Sequence, residues 1–133
     1  MSLHWNISHD DKLVHAIAAG EVDADEIQGF LGSVIAEQAM HYGKLFEITE
    51  VTALLRAERL GQVADTVRLY DKMKLGAVGA LAVVAGTNPR RISYARAFER
   101  AATAHRPVRL FEATTEARAW LLSLRNFKSQ LDE

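Results

Sequence analysis

Along this chain the spacing of apolar positions switches repeatedly between two and about 3.6, the periods of strands and helices. Trp5 to His9 reads as a short strand closed by the turn-forming pair Asp10-Asp11, and Lys12 to Ala19 as a second strand ended by Gly20. So short a connection makes the pair an antiparallel hairpin. Asp23-Ala24-Asp25-Glu26 then loads acid onto a helix start, where carboxylates meet the positive end of the helix dipole. Ile27, Phe30, Leu31, Val34 and Ile35 recur at helical spacing, and Gly43 reads as the stop. Lys44 to Val51 alternates as a strand, with Phe46, Ile48 and Val51 on one side and Leu45, Glu47 and Thr49 on the other.

A second helix is expected over residues 53–75, with Leu60, Val63, Val67 and Tyr70 on one face and Gly61 weakening its start. Ala77 to Ala85 is apolar on both sides, as a central parallel strand covered from above and below requires. Gly86-Thr87-Asn88-Pro89 opens the next helix, Asn88 as its N-cap and Pro89 in its first position. Ile92, Ala95, Phe98 and Ala102 line its buried side, and His105-Arg106-Pro107 closes it. Val108 to Phe111 makes the last strand. A helix from Thr115 to about Asn126 follows, striped by Ala117, Trp120, Leu121 and Leu124, with a frayed tail after Phe127. The order β-β-α-β-α-β-α-β-α predicts an α/β fold. It has about five strands in a mostly parallel sheet, an antiparallel first strand at the edge and about four helices.

No linker or repeat divides the 133 residues, so residues 1–133 read as one domain. The absence of cysteine removes disulfides, thiolate metal sites and thiol nucleophiles from consideration. The N-terminus lacks the pattern of a signal peptide, and the apolar run around Gly76 to Gly86 is too short to span a bilayer, so a cytoplasmic location is expected. Charge is uneven: residues 1–66 hold 4 Lys/Arg against 11 Asp/Glu and residues 67–133 hold 12 against 6, net −7 and +6. Interleaving of the halves in the fold cancels most of this; a dipolar surface steering a partner is the sharper alternative.

The best candidate binding feature is the loop Gly86-Thr87-Asn88-Pro89-Arg90-Arg91, with Gly86, Thr87, Asn88, Arg90 and Arg91 as its ligand-binding residues. It joins the carboxyl end of an apolar strand to a helix N-terminus, where free N–H groups attract anions and arginines suit carboxylate or phosphate. It lacks the glycine spacing of a phosphate loop, so an ordinary cap with solvated arginines competes with that reading. His4, His9, His15, His41 and His105 show no metal-ligand spacing, and no metal or other cofactor is expected. His15 shares a strand face with Leu13 and Ile17; a matching register would bring it to Glu47, Thr49 and Arg109, though a solvated sheet face is the simpler expectation. No nucleophile elbow or placed carboxylate pair marks an enzyme. Arg96, Arg100, Arg118 and Arg125 lack the basic balance and free aromatics of a nucleic-acid surface.

The hairpin start, the helix entry after Gly20-Glu21-Val22 and the ending carried by Phe111, Glu112, Ala113, Glu116, Ala117, Trp120 and Leu121 together resemble the SpoIIAA-like family. That family is related to STAS domains, the anti-sigma-factor-antagonist fold, and is akin to CRAL-TRIO domains. The resemblance implies a βα superhelix and a non-enzymatic regulatory or binding role. Those antagonists carry a phosphorylatable serine in a turn after the third strand; here the stretch reads Glu47-Ile48-Thr49-Glu50-Val51-Thr52-Ala53 and has no serine. Thr49 and Thr52 are the remaining candidate phospho-acceptors, disfavoured by the adjacent Glu47 and Glu50. The expected function is therefore a non-catalytic regulatory or protein-interaction module, paired with a protein partner or with itself as a homodimer. The alternative is a carrier for a small amphipathic or anionic ligand held near the Gly86–Arg91 loop; the CRAL-TRIO kinship by itself implies instead a pocket for a lipid-like ligand, widened near Met73, Leu75 and Ala77–Gly79.

Overall fold

The structure, a computed structural model, describes residues 3–53, 79–102 and 107–132. Five strands, β1 (Leu3–Ser8), β2 (Leu13–Glu21), β3 (Gly43–Ala53), β4 (Leu81–Val84) and β5 (Val108–Phe111), form one sheet in the order β1-β2-β3-β4-β5. β1 pairs antiparallel with β2, and every later pair is parallel. Three described helices, α1 (Ala24–Ala36), α2 (Pro89–Ala102) and α3 (Thr114–Asp132), complete the α/β fold. The helix expected over residues 53–75 lies outside the described residues, except that Ala53 belongs to β3.

Because strands are added in chain order, the sheet winds in one direction as a βα superhelix. Crossovers of one hand then fall on one face. α1 and α2 obey this. Ile27, Phe30, Leu31 and Val34 of α1, with Ile92 and Ala95 of α2, join the core cluster that holds Val14, Ala16, Ile48, Leu81 and Val83. The opposite face is covered by α3, whose Ala117 and Leu121 pack on Leu13, Leu45, Ala82 and Val84. Coverage on both sides explains why all four β4 residues are buried. It also explains why β3 is buried on both sides, Leu45 on one and Ile48 on the other. Each fully buried aliphatic side chain contributes about 1.5–3 kcal/mol.

Local signals placed the helix starts well. Asp23 caps α1 by accepting from the Glu26 amide at 2.8 Å. Asn88 caps α2 by accepting from the amides of Arg90 at 2.9 Å and Arg91 at 3.4 Å, with Pro89 in the first turn. The end of α1 differs from expectation. Gly43 begins β3 instead, and the helix stops at Glu37 with Gln38 in the left-handed region at φ 58°. The amide of Gln38 donates to the Ile35 carbonyl and that of Ala39 to the Val34 carbonyl, the two bonds of a Schellman cap, while Ala39 and Val34 are both buried. Glutamine there carries a cost of about 1 kcal/mol that glycine would avoid. α3 also runs past the expected frayed tail to Asp132, through a stretch of Lys, Gln and Leu without Gly or Pro.

Among the described residues, one charged side chain is buried. Lys44, 3% exposed, faces the α1 side of the sheet, and its Nζ donates to the carbonyls of Met40 and Tyr42. Those bonds fasten the loop between α1 and β3, as burial of an ammonium demands.

Candidate functional site

Register decides which polar side chains meet. On the α3 side, Ile17, Glu47, Val84 and Phe111 form one cross-sheet row, and His15, Leu45, Ala82 and Arg109 form the next. His15 therefore lies diagonally across from Glu47 on neighbouring strands, and its Nε2 sits 2.7 Å from Glu47 Oε2. The other carboxylate oxygen accepts from the hydroxyl of Thr114, the first residue of α3. An extra β3 residue between the Ile17–Glu47 and Ala19–Glu50 pairings makes a bulge immediately after Glu47, a device that re-aims side chains near strand ends. With the Glu47 side chain 18% exposed and that of His15 35% exposed, this is a half-buried bonded cluster and not the solvated face expected from the sequence.

Arg109 does not join it. Three strand spacings, about 14 Å of sheet, separate its row position from His15, and its guanidinium lies over the Phe111 ring at 5.3 Å. Thr49 is placed differently again: its Cγ2 would be 3.5 Å from a Cβ built on Gly86, so the end of β3 and the loop after β4 form one continuous surface. Thr52, one residue past the expected end of the strand, lies within β3.

The chemistry of the cluster follows from its order. Glu47 stands between the imidazole and the hydroxyl, so the Thr114 proton is engaged by a carboxylate and not by His15. An acyl-transfer arrangement needs the base between acid and nucleophile. The carboxylate instead sits at the positive end of the α3 dipole and ties three elements together: β2, β3 and the helix covering them.

The Gly86–Arg91 loop, at the same carboxyl edge, is preformed. Gly86 adopts φ 72°, and Thr87, Asn88 and Arg90 are exposed while Arg91 is half-buried. The Asn88 side chain occupies the amides of Arg90 and Arg91, two of the donors an anion at this helix end would use.

A second polar cluster lies at the opposite, amino-terminal edge of the parallel strands. His9 Nδ1 is 2.7 Å from the Tyr42 hydroxyl, and its Nε2 is 3.0 Å from Glu37 Oε2. The Lys12 ammonium lies 5.6 Å from the Tyr42 ring centre, and the His41 ring meets Tyr42 edge-on at 4.7 Å. Lys12 and Gln38, whose loops deliver this cluster, are the non-glycine residues with positive φ among those described. Sequence reasoning missed it because His9, Glu37 and Tyr42 belong to three different segments. Here the carboxylate fixes one imidazole nitrogen as donor and leaves the other facing the phenol, which pins the hairpin turn to the end of α1. Among the described residues no group of three or more His, Asp or Glu is arranged to hold a metal ion, and no helix is long and apolar enough to cross a membrane.

No protein-family model matches the chain, and no curated protein sequence is significantly similar to it.

Proposed function

We propose that this protein is a non-catalytic regulatory or protein-interaction module of the STAS-like kind its sequence resembles, acting through the carboxyl edge of its sheet. The observation that carries this reading is the state of the Gly86–Arg91 loop. Its backbone is held by Gly86 in a left-handed turn and by the Asn88 cap, so little ordering entropy remains to be lost on contact. Its helix-end amides are engaged internally, and the exposed Arg90 is offered outward. A loop that presents an arginine side chain on a rigid base, with its backbone donors engaged, suits carboxylates on a partner's surface better than a small enclosed anion.

The test pairs two measurements. Thermal melting with inorganic phosphate, nucleotides and fatty acids separates this reading from the carrier alternative, since a ligand at 100 times its dissociation constant adds about 2.7 kcal/mol of stability. No member of the panel is expected to stabilise the protein. Quantitative affinity isolation from the native cells is then run on the wild type and on Arg90→Glu, which leaves the cap intact. A partner lost with Arg90→Glu at unchanged melting temperature supports the reading. Stabilisation by a panel compound that Arg90→Glu abolishes transfers the site to the carrier function.

A further inference from the structure

We propose that two copies of this chain pair antiparallel through the outer edges of β1, joining their sheets across a two-fold axis at Asn6. This interface lies at the sheet edge four strands from β5 and does not rest on the Gly86–Arg91 reading.

Strand β1 has β2 as its one neighbour among the described residues. Edge strands are ordinarily blunted by Lys, Pro, bulges or extreme shortness, because their unpaired N–H and C=O groups recruit other strands. β1 has none of these defences. Its six residues, Leu-His-Trp-Asn-Ile-Ser, contain no Pro, Lys, Arg, Asp or Glu, and all six pair with β2 without a register shift. The Leu3 amide donates to Glu26 Oε2 at 3.1 Å, not to β2, which places Leu3 among the outward-pointing positions. Alternation along the strand then turns the N–H and C=O groups of Trp5 and Ile7 outward as well.

Those two outward positions are self-complementary. In an antiparallel pair centred on Asn6, Trp5 of one copy lies opposite Ile7 of the other, and the two exchange both backbone bonds; symmetry repeats the exchange. Asn6 then faces its own copy in the closer, non-hydrogen-bonded position, about 4.5 Å between Cα atoms.

Side chains point the same way. Trp5 and Ile7 are half-buried, packed on the edge of the core beneath α1, with the Trp5 ring 5.5 Å from that of Phe30. A two-fold axis perpendicular to the sheet puts the same faces of both copies side by side. The remaining apolar surface of Trp5 and Ile7 is thus covered by its equivalent, while on the polar side Asn6 meets its own copy and His4 lies opposite Ser8 of the second copy.

Sedimentation from about 1 μM to about 1 mM, the span of moderate to weak affinities, reads the association. The wild type is expected to approach twice the 14.7 kDa chain mass as concentration rises. Asn6→Lys sets like charges directly opposite at an exposed position and is expected to raise the dissociation constant at least about tenfold, with an unchanged melting temperature at the dilute end of the range, where association adds no stability. Asn6→Glu is expected to do the same, and an equimolar mixture of the two variants to form a heterodimer. Arg90→Glu is expected to leave the association untouched, which separates this interface from the proposed partner surface. A wild type monomeric throughout the range, a dimer indifferent to both charges, or a mixture that stays monomeric each overturns the proposal.

Discussion

Replacing Gly79 by alanine tests the packing that closes the amino-terminal edge of the sheet. A Cβ at this position would sit 2.1 Å from the Tyr42 carbonyl oxygen and 2.6 Å from that of His41. Both atoms are backbone, so no side chain can swing aside, and relief requires about 1 Å of main-chain separation. That movement breaks the bond from the Gly79 amide to the Met40 carbonyl, now 2.8 Å, at about 1 kcal/mol. The overpacking itself costs about 1–3 kcal/mol. The loop is not free to yield, because the buried Lys44 ammonium holds the carbonyls of Met40 and Tyr42. The expected loss is therefore about 2–4 kcal/mol out of a total stability of about 5–15. At this chain length that lowers the melting temperature by about 7–14 °C. Urea unfolding followed by circular dichroism measures it, with an unchanged slope confirming that the native state alone is affected. Gly32→Ala is the control: nothing lies within 4 Å of its Cβ, it is inside α1, and it is expected to stabilise by about 0.5–1 kcal/mol. A Gly79→Ala variant within 0.5 kcal/mol of wild type would refute the close-approach argument.

Two other perturbations probe the carboxyl edge. Glu47→Ala removes the acceptor shared by His15 and Thr114 and is expected to cost about 1–2 kcal/mol in urea unfolding, less than a fully buried charged hydrogen bond because the pair is partly exposed; a neutral effect would mean α3 is docked by Ala117 and Leu121 alone. Asn88→Ala is expected to cost about 1 kcal/mol through loss of the α2 cap, with Asn88→Asp retaining most of it; equal losses in both variants would argue against capping.

Features that depend on a few consecutive residues were legible in the sequence. The Asp23 and Asn88 caps, Pro89 in the first turn and the hairpin at Asp10-Asp11 all operate within about four positions of themselves. The strand and helix order was legible for a related reason: both faces of β4 and the inner side of α1 leave periodic apolar traces. The end of α1 was misread because its cap uses Gln38 in a conformation that glycine adopts more cheaply, so Gly43 gave the stronger signal although it serves as the first residue of β3. Its close neighbours there are Leu121 and Leu13, each 3.2 Å from a Cβ built at that glycine.

The polar clusters were legible only in fragments. His9 reaches Glu37 across 28 positions, His15 reaches Glu47 across 32, and Glu47 reaches Thr114 across 67. Alternation assigns His15 and Glu47 to faces of their own strands, but a slip of one residue in the β2–β3 pairing would send one of them to the other side. What forbids the slip is the apolar row beneath: Val14 and Ala16 must face Phe46, Ile27 and Phe30 in the α1-side core. Once that row is set, His15 and Glu47 have no choice but to project together under the start of α3. The polar site is thus a consequence of core packing, and its position is dictated by residues that never touch it.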